Sequence, residues 1–306
     1  MGDRAPLRRV RLTAALACAA LISGIATLPT RSLFAIDVDT LDPSNRFLFR
    51  QIEKPPDDPQ AYERIFYKNE LIHCTGSNEA AAANNRAIAL MEQANYADAE
   101  KLLREALARA PLFFPFEYNL GMCLIHLDRL REALVHLRRA ANLVPEFSKT
   151  YLQIGYVYQR MAKHEIAIDH FRKALAINAK EIDGYVQIGD IYFSRKQYSM
   201  AKKYYEGALK VDTRFPNGLL GLAKIHFIKE KYRRAIILFQ TIDTTKNYDK
   251  SLHYYYAECL YKMQEYEEAY KQYERLLTFK TDKFFLTNSV ALIRHKLELT
   301  KRFIDR

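Results

Sequence analysis

The chain has 306 residues, 49% of them apolar, with ten glycines, ten prolines and no tryptophan; so few turn formers argue against an all-β fold, and the length allows two ordinary domains or one elongated array. The formal charge is +11, but residues 1–35 hold five arginines and one acid, which leaves +7 for the rest. Spread over a long surface, +7 is a weak nucleic-acid signal, and no Lys/Arg run resembles a nucleic-acid arm.

Arg4, Arg8, Arg9 and Arg11 precede an uncharged run from Leu12 to Leu28; Pro29 and Arg31 close it, and Leu33-Phe34-Ala35 offers a cleavage site before Ile36. A basic segment, an apolar block and a small-residue exit make a secretory signal peptide over residues 1–35. The rival is an uncleaved anchor, since the 17 uncharged residues just reach the lower limit for a span. Both readings send the following chain outward, because positive charge ahead of the apolar run keeps the N-terminus cytoplasmic. The expected location is therefore extracytoplasmic, in a periplasm or cell envelope. The uninterrupted apolar block argues against a mitochondrial presequence. Cys18 lies in the leader, and Cys74, Cys123 and Cys259 fit no metal knuckle or disulfide framework.

Residues 36–79 read as a linker and an N-terminal cap. Residues 36–57 are polar and contain Pro55-Pro56, with a short helix expected near Phe47-Leu48-Phe49. Residues 59–73 read as helical, with Tyr62, Ile65, Phe66 and Ile72 roughly on one side. Such a helix either covers the first helical unit downstream of residue 79 or docks another subunit.

From residue 80 to 283 the sequence repeats every 34 residues, six times without a gap. Ala87, Gly121, Gly155, Gly189, Ala223 and Ala257 form the first series of small residues. Twelve residues later come Ala99, Ala133, Ala167, Ala201, Ala235 and Ala269, and four further on Leu103, Leu137, Phe171, Tyr205, Phe239 and Tyr273. Ala106, Ala140, Ala174 and Ala208 follow, replaced by Ile242 and Leu276 in the last two copies. This pattern predicts two antiparallel helices per unit. The small residue of the first should face the alanine of the second, and the large residue should fill the gap to the next unit. A single unit cannot bury its apolar face alone, so stacking is obligatory. Pro111, Pro115, Pro145 and Pro216 all fall at unit boundaries, where helices stop and start.

The period, Gly-x-x-Tyr at Gly155 to Tyr158 and Gly189 to Tyr192, Ala-x-x-x-Phe at Ala167 to Phe171, and Pro111 and Pro145 at unit ends resemble the tetratricopeptide repeat. No tryptophan stands at the start of any first helix, and the late alanine is lost in the last two copies, where packing should be looser or differently angled. The resemblance implies an all-α, right-handed superhelical solenoid whose concave face holds peptide or protein segments. On that family geometry, first-helix residues three before each small residue line the groove: Tyr118, Leu152, Val186, Leu220 and Tyr254. Those one after it are Met122, Tyr156, Asp190, Lys224 and Glu258. Those four after it are Ile125, Gln159, Phe193, Phe227 and Tyr261, with Lys149, Arg160, Asp183 and Lys262 alongside. The aromatics serve either as partner anchors or as packing between repeats. Asn84 and Asn119 alone do not rebuild the basic clamp that chaperone-binding members use for a C-terminal carboxylate.

Residues 284–306 read as a C-terminal capping helix, with Leu286, Val290, Ile293, Leu297 and Ile304 as its stripe. A second stripe, Phe285, Leu292, Leu299 and Phe303, is either a wide buried face or an oligomer or partner contact. No nucleophile motif, P-loop, dinucleotide fingerprint or zinc pattern appears, and Cys123 with His126 is too small a set for a metal, so neither enzymatic activity nor a cofactor is expected. The expected function is a protein-binding scaffold for an envelope assembly of pilus, outer-membrane or periplasmic flagellar-motor type. The alternative is a periplasmic chaperone or carrier that holds client peptides transiently. The expected partner is a protein or peptide rather than nucleic acid, with membrane contact only through the N-terminal segment and oligomerisation left open.

Overall fold

The structure, a computed structural model, describes residues 48–49, 64–75, 79–242, 250–278 and 290–305. The leader, and most of the linker read before residue 64, lie outside the described residues.

The described chain opens with three short antiparallel strands in the order β1 (Leu48–Phe49), β2 (Arg64–Lys68) and β3 (Leu71–Thr75). This corrects both N-terminal helix expectations: residues 64–75 are a β-hairpin, and Leu48–Phe49 pairs with Ile65 and Phe66 of β2. The physical reason is local. Asn69 and Glu70 both adopt positive φ, 50° and 64°, as a two-residue hairpin turn requires. Around them Ile65, Tyr67, Ile72 and Cys74 alternate onto one buried face, a period of two in residue types that favour strands.

Twelve helices then pair consecutively: α1 (Glu79–Glu92) with α2 (Tyr96–Arg109), α3 (Phe114–His126) with α4 (Leu130–Leu143), and α5 (Ser148–Arg160) with α6 (His164–Ile177). The pairs α7 (Ile182–Ser194) and α8 (Tyr198–Val211), α9 (Pro216–Ile228) and α10 (Tyr232–Thr241), and α11 (Lys250–Lys262) and α12 (Tyr266–Thr278) continue the stack. In chain order these pairs are hairpins one to six. A final helix, α13 (Val290–Ile304), packs on α12.

Each first helix ends in the same way. Ala94, Asp128, Ala162, Lys196, Glu230 and Gln264 all take φ between 56° and 65°. The next residue sends its N–H back five positions, as in Asn95 to Leu90 O (2.8 Å) and Lys163 to Tyr158 O (2.8 Å). This double-backed helix end satisfies the last carbonyls and reverses the chain. Its spacing of 34 residues fixes the register independently of the small residues.

The four 34-residue series are buried throughout. One detail of their packing differs from expectation. The glycines of the first series are crossed by the large residue of their own hairpin: a Cβ on Gly155 would lie 2.5 Å from Phe171, one on Gly189 2.7 Å from Tyr205, and one on Gly121 2.7 Å from Leu137. The small residue therefore makes room for an aromatic or aliphatic side chain rather than chiefly for the alanine opposite. Tyr205 also reaches the next hairpin, 2.5 Å from where a Cβ on Gly221 would stand.

At the C-terminal end, Ile293 is buried and Val290 and Leu297 are half-buried, but Ile304 of the expected inner stripe is exposed. Of the second stripe, Leu299 is half-buried while Leu292 and Phe303 are 43% and 39% exposed. Phe303 nevertheless stacks on Tyr266, with ring centroids 4.7 Å apart.

Candidate partner-binding groove

The first helices of hairpins one to three meet the β-hairpin rather than open space. β3 is an edge strand, and the N–H and C=O groups of Ile72 and Cys74 point away from β2, which makes them an exposed pairing edge unless something covers it. Three asparagines cover it. Asn119 Oδ1 accepts the Ile72 N–H (2.9 Å) and its Nδ2 donates to the Ile72 carbonyl (2.8 Å). Asn85 does the same for Cys74, at 3.2 and 2.6 Å. Asn84 donates to the Ile72 carbonyl (2.8 Å) and accepts from Asn119 (2.8 Å). Two strand residues thus advance per 34-residue step of the array.

Tyr67 carries the contact further along. Its ring lies edge-on to Tyr118 and Phe147, at 6.3 and 5.6 Å, and the Lys149 ammonium sits 5.6 Å from its centroid. Lys149 is buried against Glu181 (2.6 Å), which also accepts from Ser148 (2.6 Å) and Asn178 (3.1 Å). Those three donors satisfy a carboxylate that has lost its water. These contacts of Tyr67 with Phe147 and Lys149 bring the turn of the β-hairpin up to hairpin three, and the Tyr156 hydroxyl there is pushed well above its ordinary value, first by burial and then by the carboxylates of Asp183 and Glu70.

Beyond that turn the positions expected to line the groove carry partly exposed aromatic side chains. Phe193 is half-buried with its ring against Tyr198 (5.6 Å); Phe227 is half-buried between Tyr232 (5.9 Å) and Tyr255 (5.2 Å). Lys224 lies over the Tyr255 ring (5.7 Å), and Asp190 accepts the Tyr205 hydroxyl (2.6 Å). Tyr254 and Tyr261 are half-buried. Glu258 is buried; it accepts the Tyr273 hydroxyl (2.7 Å) and pairs with Lys296 of α13.

Family models for the tetratricopeptide repeat match residues 90–151 and 148–181, on helices whose paired order and 34-residue turns have just been described. The chain is a tetratricopeptide-repeat protein. A further model, described as anaphase-promoting complex, cyclosome, subunit 3, matches residues 194–276 of this repeat protein. Solved structures share the repeat fold at low identity. Pseudomonas aeruginosa pilF has a TM-score of 0.61 at 15% identity, covering 72% of this chain and 97% of its own. PilW, described as a widely conserved type IV pilus biogenesis factor, has 0.56 at 15% identity over 66% and 94%. A tetratricopeptide repeat protein from Parabacteroides merdae ATCC 43184 has 0.55 at 17% identity over 72% and 98%. No curated protein sequence matches the chain.

Within this repeat protein the expected groove residues divide into three groups. Tyr118, Met122, Leu152, Val186 and Leu220 are buried, as is Glu258; Ile125, Tyr156, Gln159, Phe193, Lys224, Phe227, Tyr254 and Tyr261 are half-buried; Arg160 and Asp190 are exposed. Arg160 turns to Asp128 (2.8 Å) and the Ile125 carbonyl (2.9 Å), which ties hairpin three to hairpin two. The sequence pattern marked Asn84 and Asn119 only as an incomplete carboxylate clamp and did not mark Asn85 or the β-hairpin they hold. A signal was present: Asn85, Asn119, Gln153 and Gln187 form a 34-residue series of carboxamides. The last two make no hydrogen bond to a described residue.

Among the described residues no group of three or more His, Cys, Asp or Glu stands close enough to hold a metal ion, and no helix is long and apolar enough to cross a membrane. The three described cysteines are buried; burial pushes the Cys123 thiol up to about 11 and Cys259 to about 12, so neither is a thiolate near neutral pH.

Proposed function

We propose that this protein is an extracytoplasmic scaffold that holds an extended segment of a partner along the inner face of hairpins four to six and so supports assembly of an envelope complex. One observation carries the reading. The inner face of hairpins one and two already holds an extended backbone, β3, through paired carboxamide contacts from Asn85 and Asn119. The chain's own β-hairpin occupies that half, so the half left for a partner starts past Tyr156, where Phe193, Phe227, Tyr254 and Tyr261 supply aromatic anchors. The basic leader before Leu12 to Leu28 supports export. The description of PilW as a pilus biogenesis factor motivates an envelope setting for this chain.

Crosslinking in intact cells tests the reading, with a photoreactive amino acid at Tyr261. A scaffold yields one partner in near-stoichiometric amount from the extracytoplasmic fraction, lost when Phe193 and Phe227 both become alanine. Many weak clients would point instead to a transient peptide carrier. Capture confined to cytoplasmic proteins would overturn the location, and capture untouched by the double substitution would move the site to another face.

A further inference from the structure

The charge of the chain is not spread along its surface. Residues 195–234 hold eleven basic and three acidic residues, a net +8, whereas the rest of residues 36–306 sums to −1. This segment runs from the end of hairpin four's first helix into the start of α10. Its three acids, Glu206, Asp212 and Glu230, are far too few to neutralise it, and Glu206 is taken by Lys202 (3.3 Å). Lys196, Lys203, Lys210, Arg214, Lys229, Lys231, Arg233 and Arg234 are all exposed and pair with no acid among the described residues.

Four of the segment's cations gather at the turn between α9 and α10. α9 packs against both α8 and α10, which places Lys202 of α8, Arg234 of α10, and Lys229 and Lys231 of the turn between α9 and α10 around His226; burial first, and then these cations, hold its pKa below the ordinary value. Apolar side chains stand among them: Met200, Ile228 and, at 62% exposed, Ile237. The repeat explains the mixture. Positions 34 residues apart are neighbours on stacked hairpins, so Met200 lies beside Arg234 and Lys203 beside Ile237.

We propose that the outer face of hairpins four and five docks on a membrane surface rich in anionic lipid headgroups. Cations concentrated on one patch of an otherwise neutral body suit a charged plane, and each Lys or Arg near such a surface is worth about fivefold in partition. The interspersed Met200, Ile228 and Ile237 favour lipid over nucleic acid, because aliphatic side chains gain by entering the headgroup boundary and gain little against phosphates in water. The patch is separate from the inner face, so a partner can be held while the array lies on the membrane. This is a second membrane contact beyond the N-terminal segment, and it does not depend on the groove reading.

The test is co-sedimentation of the full chain with vesicles of phosphatidylcholine alone and with phosphatidylglycerol added, at low and high salt. The patch variant carries Lys229→Glu, Lys231→Glu, Arg233→Glu and Arg234→Glu. The control reverses the same number of exposed charges at Lys101, Arg131, Lys163 and Lys180. Both keep the leader, so any binding through it is common to them. Circular dichroism and melting confirm that both variants fold. The proposal expects binding to the anionic vesicles to fall at least tenfold in the patch variant and clearly less in the control, with high salt reproducing the loss. Ile237→Ser should weaken the binding that survives high salt. Equal losses in patch variant and control would overturn it. So would equal binding to both vesicle types, or tighter binding to a single-stranded oligonucleotide or polyglutamate than to the anionic vesicles at the same salt.

Discussion

Asn119 grips both faces of one peptide residue, Ile72, across 47 positions of sequence: its carboxamide oxygen accepts the N–H at 2.9 Å and its nitrogen donates to the carbonyl at 2.8 Å. The pair is buried, and Asn84 completes it. A sheet edge that would otherwise recruit another strand is closed by side chains of the helical array.

Replacing Asn119 with leucine strands a buried N–H at Ile72 and weakens the hold on its carbonyl. An unsatisfied buried group costs about 1–3 kcal/mol, so the variant should lose roughly that much stability. The loss should be local. Hydrogen exchange at residues 64–75 should accelerate strongly while amides of α7 to α12 stay protected. Uniform acceleration along the array would show that the β-hairpin is integral to the global fold rather than docked on it.

Gly155→Ala places a methyl group 2.5 Å from the Phe171 ring. Overpacking of this kind costs about 1–3 kcal/mol. Phe171→Leu in the same chain should recover part of the loss, because the two side chains compete for one space. Melting temperatures of both single variants and the double variant give the coupling directly; strictly additive losses would contradict the contact.

Ala162 ends its helix at φ 58°, a region that disfavours any side chain with a Cβ. Glycine removes that strain at the cost of a more flexible unfolded chain. Ala162→Gly should be neutral to stabilising by up to about 1 kcal/mol, whereas Ala167→Gly, inside α6, should destabilise by a similar amount. A melting temperature lowered equally by both would argue against the left-handed turn.

The array should weaken in mild acid. His73, His170, His226 and His253 are all held below their ordinary pKa, chiefly by burial; His170 stacks between Tyr151 and Tyr158 with Lys173 and Arg138 adding to the effect. Because the folded state binds these protons less readily than the unfolded chain, stability is complete above about pH 6.5, the unfolded value, and falls as pH drops through it. The melting temperature should be lower at pH 5.5 than at pH 7.5, and His170→Phe should reduce the difference. An equal or higher melting temperature at pH 5.5 would refute this.

The 34-residue series of small and large residues was enough to predict consecutive antiparallel helix pairs, because each position meets the same neighbours in every copy and repeats its size requirement. Tyr205 shows the rule at work: an aromatic is possible there because Gly189 and Gly221 both leave room. Residues 59–73 show its limit. A short apolar run such as Ile65 to Tyr67 has no period long enough to separate helix from strand. Its state was decided by what it could reach. Alone, a two-stranded hairpin with an open edge is barely stable in water, and only the folded array brings Asn84, Asn85 and Asn119 to the backbone of β3. The same holds for the inner face. Its expected lining positions came from the family resemblance; that the first of them meet the chain's own strand was decided by the tertiary structure, which brings residues 64–75 onto α1 and α3.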